Sequence, residues 1–225
     1  MSMEILNLIP IQVDLRSVAK SAHVPEGEGE KRLLSLNAAA HSVMAAKAVY
    51  RVSYIDSRHE DSVVIDGVLF RSRVLRKHFG KVERVFPYVV TLGPGVEALE
   101  KASGDAVEKY YLDLIGNAGV IKAREHLRNT LSKRYGLEGL SYLGPGQLKD
   151  WPLDEQQPLF SLLGEVERAV GVRLSESLLM IPRKSLSGIY FPTEIPFMAC
   201  QLCARESCPS RKAAYDEKLA KEYNA

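Results

Sequence analysis

Residues Gly171–Arg211 read GVRLSESLLMIPRKSLSGIYFPTEIPFMACQLCARESCPSR. The first part of this stretch mixes apolar residues (Leu178, Met180, Ile189, Phe191) with small ones (Ser185, Ser187, Gly188) and turns at Pro192. Small residues beside an apolar strand mark places where a ligand or another backbone must come close. The second part holds Cys200-Gln-Leu-Cys203 and Cys208-Pro-Ser-Arg211, and these are all the cysteines of the 225-residue chain. Three thiols so close together, with none elsewhere, are clustered for chemistry. An odd number in a reducing compartment favours metal or redox chemistry over a disulfide framework.

Outward from this stretch, composition narrows the function classes. A chain of 225 residues with 46% hydrophobic and 26% charged residues can bury a substantial core. A net charge of +2, with acids and bases interleaved, gives no reason to expect nucleic acid or an anionic membrane as a partner. No apolar run approaches the roughly 20 residues of a membrane span. The start, MSMEILNLIPIQVD, lacks a basic flank and does not read as a signal peptide, so a cytoplasmic location is expected. We expect residues 1–197 to form one α+β domain and residues 198–225 to carry the cysteine cluster and a C-terminal helix.

Element signals support that class. Residues 5–13 read as an extended edge segment, and Asp14 as the cap of a short helix over 15–22. PEGEGEK at 25–31 reads as a linker, and apolar spacing from Lys31 to about Val49 predicts a long helix. His41 on that helix reads as a packing residue. AVYRVSYID and SVVIDGVLF alternate as an antiparallel pair, with Asp66-Gly67 as a tight turn. A basic helix over 71–80, a buried strand RVFPYVVT and a Gly-Pro-Gly turn into a helix near Val96 follow. That turn has neither phosphate-loop pattern and reads as a plain turn rather than an anion site. The longest helix covers 105–134, with Gly116 and Gly119 on one face predicting close packing. A second LGPG turn at Leu143–Gly146, a helix over 154–170 and a charged C-terminal helix complete the chain. Strands and helices alternate too irregularly for a doubly wound sheet. The expectation is α+β: a largely antiparallel twisted sheet with long packed helices. No serine nucleophile elbow, H-E-x-x-H motif or paired acids for glycoside chemistry occurs.

The segments VTLGPGVEALE, YYLDLIGNAGVIKA, LGPGQLKDWPLDEQQPLFSLL and GVRLSESLLMIPRKSLSGIYFP, in this order, resemble the activation (reactivation) domain of cobalamin-dependent methionine synthase. More closely, they resemble small stand-alone proteins built on that domain. The resemblance runs from about residue 9 to residue 211. It implies an adenosylmethionine site at Gly144, Pro145 and Gly146 and at Ser187, Gly188 and Tyr190. Two positions depart from the family pattern. The arginine before the loop is Tyr142 or Leu143, and the aromatic after it is Gln147. Weakened adenosylmethionine binding is the expected consequence. For Tyr190 the resemblance implies ligand contact, and strand spacing equally allows a core role.

The resemblance implies an accessory factor that docks on a corrinoid (cobalamin) protein and supports its reactivation or methyl transfer, with S-adenosylmethionine as donor. The partner would be a corrinoid-binding protein or a methionine synthase lacking its own activation domain. As an enzyme it would be a reactivation-type methyltransferase or a corrinoid reductive activator. The alternative is a non-catalytic corrinoid-protein partner or small-ligand binder with a structural metal site. For Cys200, Cys203 and Cys208 three readings stand: an iron–sulfur cluster, zinc with a fourth ligand from elsewhere, or a reactive dithiol with a spare thiol.

Overall fold

The computed structural model describes residues 2–208 and 211–223. Its strands are β1 (Glu4–Leu6), β2 (Lys47–Tyr50), β3 (Ser53–Arg58), β4 (Ser62–Ile65), β5 (Val68–Arg71), β6 (Arg84–Thr91), β7 (Leu140–Leu143), β8 (Arg173–Leu174), β9 (Met180–Ile181) and β10 (Ser185–Pro192). The helices are α1 (Leu15–Ala22), α2 (Glu28–Val43), α3 (Arg73–His78), α4 (Gly95–Ala102), α5 (Ala106–Tyr135), α6 (Gln156–Leu163), α7 (Val166–Val170) and α8 (Glu217–Tyr223).

Eight strands form one curled sheet around β6. On one edge of β6, Tyr88–Thr91 pairs with β2, and Arg84 and Val85 pair with β3. On the other edge, Phe86–Thr91 pairs with Ser185–Tyr190 of β10, which in turn pairs with β7 through Ile189–Pro192. Every pairing is antiparallel, so the α+β class read from the sequence is the architecture found. Asp66 and Gly67 turn β4 into β5 as expected, at φ 44° and 80°.

The two-residue period of β6 and β10 sorts the core. Val85 and Val89, with Ile189 and Phe191, join a cluster that includes α3, α6, α7 and Ala220 of α8. Phe86, Tyr88 and Val90, with Tyr190, face Val120, Ala123, Leu127 and Leu131 of α5. The first half of α5 packs instead against α1, α2 and α4. Helix α5 is held at its start by Asp105, whose carboxylate accepts from the Val107 and Glu108 N–H groups at 2.7 and 3.1 Å. A Cβ on Gly116 would lie 2.8 Å from the Lys184 side chain, so close packing is what its glycine permits.

Several element boundaries differ from the sequence reading: AVYRVSYID splits into β2 and β3, and SVVIDGVLF is itself the β4–β5 hairpin. The expected linker at 25–31 already contains the first turn of α2, and that helix ends at Val43 instead of Val49. Ala48, Val49 and Tyr50 are fully buried in β2, and burial in the sheet overrides the helical preference of the alanine-rich run before them. The helix expected over 154–170 is broken at Gly164, which adopts φ 89° between α6 and α7. No helix among the described residues is long and apolar enough to cross a membrane.

Candidate functional site

Strand β10 places Tyr190 on the α5 side of the sheet. Its ring stacks on Tyr88 at 4.6 Å and meets Tyr142 of β7 edge-on at 5.8 Å. Its hydroxyl donates to the backbone carbonyl of Arg124 at 3.0 Å. Burial raises the pKa values of Tyr88 and Tyr190, so both remain neutral phenols. The Tyr88 hydroxyl finds no hydrogen-bond partner of normal geometry among the described residues, although the Arg124 charge lies near enough to act on it. Tyr190 therefore ties sheet to helix at the level of Arg124.

The arginine completes the arrangement. Arg124 lies on the apolar stripe of α5, between Val120 and Leu127, and exposes only 8% of its surface. Its guanidinium stands 4.0 Å above the Tyr142 ring, a cation–π contact. Beyond it opens a cavity of about 420 Å³. Arg124, Arg128, Tyr142 and Tyr190 form one side of its lining, with Gln147 from the second LGPG turn. Met198, Ala199, Cys200, Cys203, Cys208 and Lys212 form another. Arg128 follows Arg124 by one helical turn and shares its face.

The cysteine segment is gathered by Arg211. Its guanidinium donates to the carbonyls of Cys200 and Cys203, each at 3.3 Å, and also to the carbonyl of Arg205. Its backbone N–H donates to the Cys208 carbonyl at 3.1 Å. The loop is further anchored where the Phe197 N–H donates to the Ser141 hydroxyl on β7 at 2.9 Å. All three thiols are free and half-buried. Among the described residues, no three His, Cys, Asp or Glu side chains form a group able to hold a metal ion. An iron–sulfur cluster or zinc at Cys200, Cys203 and Cys208 is thus without support in the structure.

Of the residues named from the sequence, Tyr190 and the three cysteines come together around the cavity, whereas Gly144, Pro145, Gly146, Ser187 and Gly188 are not among its lining residues. Their environments explain their size. A Cβ on Gly188 would lie 2.3 Å from the Leu143 carbonyl oxygen, and one on Gly144 would lie 2.7 Å from the Ser187 carbonyl oxygen. The small residues let the β7 backbone and the following turn press against β10. Ser187 donates to Gln156 Oε1 at 2.9 Å, in the core. Gly146 takes φ 81° to close the turn, and its N–H donates to the Trp151 carbonyl at 2.8 Å. Gln147 links turn to cavity, because its Oε1 accepts from the Gly144 N–H at 3.2 Å. The sequence reading missed Arg124 and Arg128. The available signal was a charged residue inside the apolar stripe of α5.

Elsewhere, the Gly93–Gly95 turn packs against the end of α2. A Cβ on Gly95 would lie 2.3 Å from the Val43 carbonyl oxygen, so its glycine permits a close backbone approach. His41, read from the sequence as a packing residue, is exposed, with Nε2 3.2 Å from the Ile11 carbonyl oxygen.

No family model matches the chain, and no curated protein matches it. Among solved structures, the crystal structure of the MetH reactivation domain bound to AdoHcy is similar, with a TM-score of 0.63 at 17% identity. The similarity covers 88% of this chain and 81% of that one. The chain has the fold of the MetH reactivation domain: an α+β body with a curled antiparallel sheet and packed helices.

Proposed function

We propose that this protein is an accessory factor for a corrinoid protein, supporting its reactivation or methyl transfer, and that it holds an S-adenosylmethionine-class ligand in the cavity beside Tyr142 and Tyr190. The observation that carries the reading is the position of that cavity. It is bordered by Tyr190 from the SGIY strand and by Gln147 just after the LGPG turn, in a fold shared with a domain solved with AdoHcy bound. Its volume of about 420 Å³ falls in the range of small-molecule sites. Tyr142 and Met198 offer apolar contact for a nucleoside, while the Arg124 end is cationic. The chain's own residues bind and orient such a ligand.

The sequence contains no D-x-H-x-x-G corrinoid-ligating motif, so corrinoid chemistry is assigned to a separate corrinoid-binding protein or to a methionine synthase without its own activation domain. Two measurements test the reading together. Titration calorimetry should detect S-adenosylmethionine binding, and a corrinoid protein immobilised without oxygen should retain this chain. No heat at millimolar ligand would remove the adenosyl ligand. Tight binding of free cobalamin with no retention by corrinoid proteins would remove the accessory role.

A further inference from the structure

Arg124 presents a physical problem that the fold alone does not solve. A guanidinium stays charged at any physiological pH, and burying it without a counter-charge is costly. Arg124 keeps only 8% of its surface in solvent, yet no ion pair to it forms among the described residues. The neighbouring carboxylate, Glu125, is engaged by Lys122 at 2.9 Å. The Tyr142 ring covers one face of the guanidinium at 4.0 Å and the Tyr88 hydroxyl lies beside it, but neither supplies a counter-charge. The interior lysine of this chain is matched. Lys184, 3% exposed, donates to Asp113 at 2.5 Å and to Asn117 at 2.9 Å. Arg124 instead borders an open cavity, whose walls also carry Arg128 and Lys212 and the carboxylate of Glu125, already paired with Lys122.

We propose that Arg124 is the anion-recognising residue of this cavity and takes the carboxylate of an amino-acid ligand, with Arg128 and Lys212 reinforcing the potential. The identity of the ligand rests on the function proposed above; the anion site does not. The guanidinium fork suits a carboxylate in a bidentate pair. Its ring support on Tyr142 and the anchoring of its helix by Tyr190 hold that fork in place before the ligand arrives. Tyr190 is then a positioning residue for Arg124.

Wild-type protein and Arg124→Met are titrated with AdoHcy and with 5′-methylthioadenosine, which has the same sulfur-linked nucleoside and no carboxylate. AdoHcy should bind wild type ~10- to 100-fold more tightly than methylthioadenosine, and in Arg124→Met the ratio of the two affinities should fall close to one. Equal binding of both ligands by wild type would overturn the proposal even if the variant fails to fold. If no adenosyl compound binds, the functional reading falls, and the anion site is judged by thermal melts with succinate and with phosphate. A rise in wild-type Tm that Arg124→Met lacks sustains the site, and a larger rise with succinate assigns it to carboxylates. Identical shifts in both proteins overturn it.

Discussion

Phe191 and Tyr190 are adjacent on β10 and point to opposite faces of the sheet, and each face takes in a basic side chain in a different way, half-buried at His78 and buried at Arg124. On the Phe191 face, His78 sits among aromatic rings, with centroids 5.2 Å from Phe191, 4.0 Å from Phe197 and 5.0 Å from Tyr223. Burial, and then the nearby Lys77 charge, push its pKa down to about 4, and its Nε2 has no hydrogen-bond partner among the described residues. Histidine meets the cost of burial by giving up its proton. On the Tyr190 face, Arg124 has no such option. The first region closes because its base can become neutral; the second keeps a cavity beside a charge that cannot. The difference separates a closed face from one that keeps an open cavity.

The contrast can be broken most forcefully at Phe191. Phe191→Ala leaves a hole beside Phe79 and His78 and should cost about 3–5 kcal/mol in chemical denaturation. Ligand affinity of the folded protein should stay unchanged, since Phe191 faces away from the cavity. Next in size is the pH response of His78. Its folded pKa of about 4 lies below the unfolded value of about 6.5, so the unfolded chain binds more protons between these pH values. Stability from neutral His78 is therefore full above about pH 6.5 and is lost as pH falls toward 4, by about 2 kcal/mol after allowing for partial exposure. His78→Phe should flatten that part of the stability–pH curve; an unchanged slope would contradict the neutral histidine.

Tyr190→Phe removes the bond to the Arg124 carbonyl and should cost about 1 kcal/mol in chemical denaturation. Unlike Phe191→Ala, it should also weaken ligand binding, because it loosens α5 at Arg124. The smallest effect is expected from Lys77→Met, which removes the exposed contact to Glu222 and the position 4.2 Å over the Tyr223 ring. A loss of about 0.5–1 kcal/mol in thermal unfolding is predicted, and a larger value would show that α8 depends on charge more than on the apolar contacts of Leu219 and Ala220.

Much of the fold was legible in the sequence because local signals and burial agree there. Asp14 and Asp105 cap their helices, Asp66-Gly67 makes the hairpin, and the period of β10 separates its two faces. Legibility ended where tertiary packing decides. The run after Val43 has helical residues but lies in the sheet, and Gly164 breaks a pattern that reads as continuous. The candidate site was legible in part. Tyr190 and the cysteines do border the cavity, but spacing could not reveal which way the thiols face. Gly144 and Gly188 announce a close approach without saying that the neighbour is backbone. Arg124 looks like an ordinary helical charge until the packing of α5 shows which of its sides meets the sheet.

The central claim is that the adenosyl ligand occupies the cavity bordered by Cys200, Cys203 and Cys208. Because all three cysteines line it, the alkylation rates of their thiols, followed by mass spectrometry with and without saturating AdoHcy, report occupancy. The account predicts ready labelling of the free protein and at least ~10-fold slower labelling of all three when the ligand is bound, as expected where a site buries most of a ligand's surface. Unchanged labelling at an AdoHcy concentration that saturates binding would place the ligand elsewhere and contradict it.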